Sequence, residues 1–174
     1  TNHVFTYGVD YRNDEVESGP AEGAVENAEE GSVLGVYAQA HSAINPELTL
    51  SYGVRFDDYD FQQDILLDEY YGDPVTDEPS GINDSEVSMN VGLTYQLSKA
   101  WKLALGYAEA ARGKEIGDGF TIDEYLYDGS DVPVVGNNVV PETVANIEGA
   151  IEYQADDLHA RFTVFESTID DVIF

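Results

Sequence analysis

The segment from Glu86 to Leu97 alternates strictly between apolar and polar side chains. Its apolar positions are Val87, Met89, Val91, Leu93, Tyr95 and Leu97. A period of two residues predicts a β-strand with one apolar face and one polar face. The length also suits a tilted strand that crosses a bilayer, which needs about 9 to 11 residues.

The same alternation recurs along most of the chain. The other segments with this pattern are residues 5–11, 34–40, 48–57, 101–108, 147–153 and 158–164. The pattern is clearest in 48–57, 101–108 and 158–164 and weaker in the remaining three. Together with 86–97, these segments predict seven strands.

The connections between the predicted strands alternate between short and long. Short turns are predicted at 45–47, 98–100 and 155–157, and long loops at 13–32, 62–85 and 113–142. Outer-membrane barrels have short periplasmic turns and long extracellular loops, whereas β-sandwiches more often mix connection lengths. The sequence therefore predicts an all-β fold, the wall of an antiparallel up-and-down transmembrane β-barrel.

The composition excludes several classes of protein. The chain has 35 acidic and 7 basic residues and a formal net charge of -28, which excludes nucleic acid as a partner. It has no Cys, no signal peptide and no run of about 18 apolar residues that would predict a transmembrane helix. The 12 Tyr and 7 Phe argue against a disordered acidic chain.

Charged and aromatic residues follow the division into strands and loops. The three long loops hold 21 of the 35 acidic residues and, of the basic residues, only Lys114. Tyr95, Trp101 and Tyr153 lie on the apolar phase near the short turns, where we expect an interfacial aromatic girdle facing lipid.

Three basic residues, Arg55, His159 and Arg161, lie on the opposite phase of their strands. We expect them to face the barrel interior and to pair with carboxylates of neighbouring strands or of a domain inside the barrel.

Seven strands do not close a barrel of this kind, because single-chain bacterial barrels have even strand numbers. An open sheet would expose unpaired edges to lipid, so we expect further strands outside these 174 residues. The chain starts at Thr1 rather than Met, and Asp170 and Asp171 interrupt the alternation before Phe174. We interpret Phe174 as a cut point rather than as the end of a closing strand.

Six segments, in order, resemble barrel strands of TonB-dependent receptors. They are YGVDYR (7–12), GVYAQ (35–39), LSYGVRFD (50–57), GYAEAAR (106–112), VPETVANIEG (140–149) and FESTIDDVI (165–173). Each motif is short and degenerate, but together they extend over nearly the whole chain. In the fourth segment Ala stands where the family often has Gly and Phe.

This resemblance implies a 22-stranded barrel with an N-terminal plug domain, of which the whole chain, 1–174, is a central barrel segment. Neither the plug nor the flanking strands nor a TonB-contacting segment is found in it. The implied function is TonB-dependent uptake of a scarce nutrient, with a ferric siderophore favoured, across the bacterial outer membrane. The implied partners are a metal chelate or other large nutrient, TonB through the plug, and membrane lipid with lipopolysaccharide.

The predicted loop 113–142 is the candidate ligand-binding element. The candidate residues are Arg112, Lys114, Glu115, Asp118, Asp123, Glu124, Tyr125 and Tyr127. The Tyr rings would stack on an aromatic or catecholate ligand, while Arg112 and Lys114 would pair with its negative charges. The alternative is a solvated acidic loop without a binding role.

Closely spaced carboxylates raise the possibility of bound Ca²⁺, which takes about 6 to 8 oxygen ligands. The candidate sets are Asp57, Asp58 and Asp60, and Asp14, Glu15 and Glu17. Neither set matches the spacing of an EF-hand loop. Solubility, or metal-bridged contacts to lipopolysaccharide, explains the acidity equally well.

No other cofactor and no enzymatic activity is predicted. The three histidines, His3, His41 and His159, are too scattered for a histidine metal site. There is no Cys nucleophile, no G-x-S-x-G motif and no Gly-rich phosphate loop.

Three alternative interpretations stay open at this point. The first is a passive porin or structural barrel such as an adhesin, which would lack a plug domain. The second is a soluble acidic β-sandwich or β-solenoid that binds calcium or carbohydrate. The third is a short product that pairs its sheet edges in an oligomer.

Overall fold

The computed structural model describes residues 2–18, 25–67, 80–113, 122–125, 133–135 and 140–172. It contains nine β-strands in these ranges: β1 (Asn2–Ser18), β2 (Val25–Ala43), β3 (Leu48–Leu67), β4 (Ser80–Gln96), β5 (Trp101–Arg112), β6 (Ile122–Tyr125), β7 (Pro133–Val135), β8 (Glu142–Ala155) and β9 (Leu158–Asp170). No helix capable of spanning a membrane occurs in the described residues.

Seven of the strands form one antiparallel sheet in the order β1-β2-β3-β4-β5-β8-β9. Each strand therefore pairs with the next one in the main sheet, which confirms the predicted all-β, up-and-down arrangement of seven strands. The short strands β6 and β7 pair separately with each other and were not predicted. In the pairing of the described strands, β1 and β9 form the two edges of the sheet.

The strands extend well beyond the ends that the apolar alternation predicts. Asn13 pairs with Ser32, and Gln62 pairs with Gly81, within the segments 13–32 and 62–85 that the sequence predicts to be loops. The predicted bounds 13–32 and 62–85 are therefore wrong. Backbone pairing continues there although the lipid-facing alternation stops. In the extension of β3, Asp58 and Asp60 take the lipid-facing phase, and the apolar Tyr59 and Phe61 lie on the opposite face. Residues 19–24 and 68–79 lie outside the described part of the chain.

Each predicted short turn is confirmed, and side-chain caps stabilise two of them. The Asn45 Oδ1 atom accepts hydrogen bonds from the backbone N–H groups of Glu47 (2.9 Å) and Leu48 (2.8 Å). The Ser98 Oγ atom likewise accepts from the N–H groups of Ala100 (3.3 Å) and Trp101 (3.2 Å). The third turn, at 156–157, is a two-residue connection between β8 and β9. These caps satisfy backbone donors that the sheet leaves unpaired.

The apolar face of the sheet is exposed. Val54 is 52% exposed, Val91 46% and Phe162 66%, whereas Asp57 on the opposite, polar face is 4% exposed. Trp101 and Tyr153 lie at the short-turn end, with their ring centroids 4.7 Å apart. A continuous exposed apolar face bordered by aromatic residues is the pattern of a lipid-facing barrel wall. The structure thus places these residues where the sequence predicted.

The apolar stretches of successive strands together form a band on the lipid-facing side. This band runs obliquely across the sheet instead of following one row of paired residues. One such row consists of Tyr7, Ala38, Val54, Met89, Glu109, Ala145 and Thr168. Tyr7 is inside the apolar stretch of β1, but Glu109 and Thr168 lie beyond the apolar stretches of β5 and β9. Relative to the rows of paired residues, the apolar stretch shifts by about eight residues between β1 and β9, over six strand-to-strand steps. This shift corresponds to a strand tilt of roughly 40°. A flat membrane crossed by tilted strands produces this offset.

A small buried cluster lies on the polar face, in the extension of β3. Tyr59 and Phe61 are almost fully buried there. Gly113, at the end of β5, leaves room for the Tyr59 ring, since a Cβ atom at Gly113 would lie 2.7 Å from Tyr59 Cγ.

An ion triad joins β1 to β3 across β2 on the polar face. The Arg55 guanidinium donates to both carboxylate oxygens of Asp10, at 2.8 and 2.9 Å, and its Nε donates to Asp57 at 2.7 Å. Gly35 of β2 lies beneath the guanidinium, and a Cβ atom there would overlap it. Arg55 also lies 6.0 Å from the centroid of the Tyr37 ring. The absence of a side chain at Gly35 lets one arginine bridge two strands that are not neighbours.

We expect Val91→Arg to lower the free energy of unfolding by about 2–4 kcal/mol, because it places a charge in the middle of the lipid-facing band. Denaturant unfolding of the whole barrel in bilayers measures this loss. Thr94→Arg is the control, since Thr94 lies on the polar face of the same strand. Equal losses for both variants would contradict the assignment of the faces.

We expect Arg55→Gln to cost about 2–3 kcal/mol in the same measurement, because it leaves the buried Asp57 carboxylate without a cation. A second change, Asp57→Asn, should recover most of the loss. Arg161→Gln is the matched control: Arg161 is more exposed and lies 4.0 Å from Glu152, so its loss should stay below about 1 kcal/mol. Additive losses for Arg55→Gln and Asp57→Asn would rule out the coupling.

Candidate ligand-facing wall

The polar face carries a row of carboxylates near the edge of the apolar band that lies farther from the short turns. Asp10 pairs with Gly35, Gly35 with Asp57, and Asp57 with Glu86, so one row across four strands contains three acids. We call Asp10, Asp57 and Glu86 the carboxylate row. The Arg55 guanidinium contacts the first two of them. With a single cation among three carboxylates, the row is anionic.

Every Lys and Arg in the described strands lies on the polar face and contacts a carboxylate. Apart from Arg55, the pairs are Arg12 with Asp14 (2.8 Å), Lys102 with Glu152 (2.9 Å), Arg112 with Glu142 (3.5 Å) and Arg161 with Glu152 (4.0 Å). The wall therefore offers few cations that are free to bind a negatively charged ligand.

Glu152 is the centre of a second charged cluster, nearer the short turns. It contacts Lys102 and Arg161, and its Oε1 atom lies 3.3 Å from His159 Nε2. The three predicted inward-facing basic residues, Arg55, His159 and Arg161, therefore lie on the polar phase and contact carboxylates. His159 and Arg161 face Glu152 of the neighbouring strand, whereas Arg55 contacts Asp57 of its own strand and Asp10 two strands away.

An open groove of about 350 Å³ lies on the polar face between the two charged clusters. Its lining includes the polar residues Tyr37, Gln39, Ser88 and Asn90 and the charged residues Arg55 and Glu109. Glu109 pairs with Met89 and so lies on the lipid-facing phase. Gly53 is at its floor: a Cβ atom there would lie 2.9 Å from Asn90 Nδ2 and 3.2 Å from Gln39 Cβ. We call this the Gly53 groove.

The amides of Gln39 and Asn90 are not engaged within the described part of the wall. Both side chains are exposed, and neither is hydrogen-bonded to another described residue. An amide donates and accepts hydrogen bonds without carrying charge, so the groove suits neutral polar groups. The Ser88 hydroxyl already makes a hydrogen bond within the wall, because its Oγ atom accepts from the Ala111 N–H at 3.1 Å.

Sequence reasoning missed the Gly53 groove. Gln39, Gly53 and Asn90 occupy ordinary polar positions in three separate strands and meet only through the strand register. The Gly between β-formers in β3 was the available signal, since such a Gly often marks a close approach or an opening.

The structure describes only part of the predicted ligand-binding loop. Arg112 is the last residue of β5, and its guanidinium contacts the Glu142 carboxylate of β8. Its positive charge is therefore placed against the wall and not in the loop. Asp123, Glu124 and Tyr125 belong to β6, where the backbone alone is described. Lys114, Glu115, Asp118 and Tyr127 lie outside the described residues. Their joint role in ligand binding stays a prediction.

Strand geometry separates the carboxylates that were candidates for calcium. Asp57 lies on the polar face, whereas Asp58 and Asp60 lie on the other face. Asp14 and Glu15 likewise point to opposite faces, and the Glu17 side chain is outside the described set. Among the described residues, no three His, Asp or Glu side chains are placed to hold a metal ion. Calcium binding elsewhere in the acidic loops stays a prediction.

Comparison with known proteins identifies the family. The family model described as "TonB dependent receptor-like, beta-barrel" matches residues 1–174. A search of curated proteins finds no match to this sequence.

Solved structures share the fold at low sequence identity. The ferric-catecholate import receptor Fiu of E. coli K12, in its closed form, has 16% identity and a TM-score of 0.73, over 96% of this chain and 28% of that one. The copper transporter OprC has 15% identity and a TM-score of 0.72, over 99% and 28%. The ferric yersiniabactin uptake receptor FyuA of Yersinia pestis has 18% identity and a TM-score of 0.64, over 98% and 26%.

The chain spans 26–28% of the length of these solved structures. The antiparallel meander, the tilted lipid-facing band and the match over all 174 residues agree. This chain belongs to the TonB-dependent receptor-like β-barrel family and forms part of a barrel wall in the outer membrane of a Gram-negative bacterium.

Proposed function

We propose that the protein containing this wall takes up a scarce nutrient across the outer membrane in a TonB-dependent manner, with a ferric siderophore as its ligand. The observation that carries the proposal is the family match over the whole chain. The names of two structural neighbours, a ferric-catecholate import receptor and a ferric yersiniabactin uptake receptor, support iron chelates as the ligand class.

The wall contributes a scaffold, and the remaining parts come from sequence outside these 174 residues. The edges β1 and β9 need partner strands to close a barrel in lipid. We propose that these strands, together with a plug domain that contacts TonB, belong to the same protein. The limited coverage of the solved structures, 26–28%, is consistent with this. Membrane lipid and lipopolysaccharide would contact the apolar face.

The proposed transport needs positioning rather than covalent chemistry. Ligand would dock on the extracellular loops and the plug, and energy relayed by TonB would move the plug. The ion triad and the Lys102–Glu152 contact stabilise the wall beside that moving part. Family members are transporters and not enzymes, in keeping with the absence of a catalytic motif from the sequence.

Two alternative functions, a soluble β-sandwich and a passive porin, are less well supported. A soluble β-sandwich would bury its apolar residues, whereas here Val54, Val91 and Phe162 form an exposed face. A passive porin shares that face but needs no energy input. Dependence on TonB therefore separates active uptake from passive diffusion.

Deleting the gene should abolish growth on at least one ferric siderophore as the sole iron source, and the loss of TonB should do the same. Uptake of radiolabelled iron by deletion, TonB-deficient and complemented strains measures this. Saturable uptake that persists without TonB would favour the porin alternative, and unchanged uptake of every iron chelate would contradict the proposed ligand.

Replacing both predicted loop aromatics, Tyr125→Ala with Tyr127→Ala, should weaken ligand binding about tenfold, since each stacked ring contributes roughly 0.5–1.5 kcal/mol. Titration of the full-length receptor with the ferric chelate gives the dissociation constant. Tyr7→Ala is the control, because Tyr7 is exposed on the lipid-facing side. An unchanged constant in the double variant would leave the loop as a solvated acidic segment.

A further inference from the structure

A second groove, which we call the Gly149 groove, crosses the lipid-facing side of the sheet. Its volume is about 410 Å³, and its lining comes from β3, β4, β5, β8 and β9 and contains no charged residue. One row of paired residues, from Leu48 to Phe162, borders it on the short-turn side, and the next row, which ends at Val164, borders it on the other. Four interstrand steps of about 4.8 Å make it about 19 Å long. An extended fatty acyl chain has this length and this apolar surface.

The groove exists because residue 149 is a glycine. Within the apolar stretches of the described strands, Gly149 is the one glycine on the lipid-facing phase. A Cβ atom there would lie 3.5 Å from Leu105 Cδ2 and 3.9 Å from Val164 Cγ2. These are ordinary van der Waals distances, so a larger side chain would fit without strain. The packing of the wall therefore does not require glycine here, although glycine weakens a strand.

Nothing else in a barrel of this family would cover the Gly149 groove. Further barrel strands would pair edge to edge with β1 and β9 and would continue the wall on either side. A plug domain would lie against the opposite, polar face. Since the chain forms part of an outer-membrane barrel, the hydrocarbon chains of membrane lipids are the groups that meet this face.

The groove begins near the periplasmic surface of the membrane. Leu103 and Ile151 of its first row lie two residues, or about 7 Å, from the ring pair Trp101 and Tyr153. Aromatic rings at this position mark the level of the lipid headgroups. The strand tilt then carries each row farther from the short-turn side with every strand toward β9. A lipid with its headgroup at the short turns would therefore direct its acyl chain along the groove.

The short turns below the groove place one cation between carboxylates. Lys99 lies in the turn between β4 and β5, Glu47 in the turn before β3, and Asp156 and Asp157 in the turn after β8. All four residues are exposed. Unlike the basic residues of the strands, Lys99 makes no ion pair with another described residue. Lys99 is thus free to bind a phosphate, and the carboxylates on either side are free to bind an ammonium group.

From the apolar groove, its depth and this charge pattern we propose that the outer surface of the wall binds one phospholipid of the periplasmic leaflet. One acyl chain lies along the Gly149 groove, and a zwitterionic headgroup with a primary amine lies at the short turns. Its phosphate binds Lys99, and its ammonium group donates hydrogen bonds to the turn carboxylates. A lipid of net negative charge meets three acidic residues and one cation there, and so binds less tightly.

Titration of the full-length receptor in detergent with three phospholipids that have the same acyl chains tests the headgroup. Native mass spectrometry measures the number of lipids bound and their dissociation constants. We expect one phosphatidylethanolamine to bind about fivefold more tightly than phosphatidylcholine or phosphatidylglycerol. The choline nitrogen has no hydrogen to donate, and the glycerol headgroup carries no cation.

A pair of leucine variants tests the groove. Gly149→Leu should fill it and weaken the binding of phosphatidylethanolamine about tenfold, while the lipid-free barrel stays at least as stable as the unaltered one, because leucine suits a strand better than glycine. Ala38→Leu is the control, since Ala38 is exposed on the lipid-facing side of β2, outside the groove. It should leave the dissociation constant unchanged.

A pair of charge variants tests the position of the headgroup. Lys99→Gln should weaken phosphatidylethanolamine binding about fivefold, because the phosphate loses its cation. Arg161→Gln removes the same charge from the polar face and should have no effect.

Equal, unsaturated binding of all three phospholipids to the unaltered receptor would overturn the site and leave ordinary lipid contact in its place. That result does not depend on the folding of any variant. Equal effects of Gly149→Leu and Ala38→Leu would overturn the groove as the acyl-chain site, and tightest binding of phosphatidylglycerol would overturn the zwitterionic headgroup. Uptake of ferric chelates is measured separately, so its absence would contradict the proposed function and leave the lipid site standing.

Discussion

Lipid offers no hydrogen bonds to a polypeptide backbone, and the rest of this structure depends on that constraint. Each inner strand of the main sheet pairs with an antiparallel neighbour on both sides, and the edge strands β1 and β9 pair on one side. Side chains are then free to divide into an apolar face for lipid and a polar face for the interior. The same constraint keeps the short turns tight, with Asn45 and Ser98 capping backbone donors. It also requires partner strands for both edges of the sheet.

Sequence reasoning predicted the fold wherever lipid imposes a pattern. The alternation in 86–97 identified β4, and the three turns fell where predicted. Sequence reasoning failed for the parts of the strands that lie outside the membrane, because lipid imposes no hydrophobic pattern there. Asp60 and Asn83 pair beyond the lipid-facing band, where the apolar residues Tyr59 and Phe61 lie on the opposite face from the apolar residues of the membrane-spanning part of β3. The change of phase ends the pattern that predicted the strand. The strands β6 and β7 are too short to generate a recognisable period.

The candidate site was less predictable because it depends on register. Arg55 could be assigned to the interior from its phase alone, but its two partners, Asp10 and Asp57, could not be chosen among many acids. The Gly53 groove joins residues from β2, β3 and β4, and the offsets between these strands are not encoded in any one of them. The loop residues Lys114 and Tyr127 were chosen by chemical type, and their role awaits binding measurements.

Because the strands are tilted, the two ends of each strand lie at different positions around the circumference of the barrel. At roughly 40°, the 20 residues of β3 shift sideways by about 40 Å from the turn at 44–47 to Leu67, the width of several strands. The outer end of β3 therefore stands above a sector of the cylinder built by other strands. Substitutions at that end and at the Gly53 groove would act on different sides of the pore even though one strand carries both.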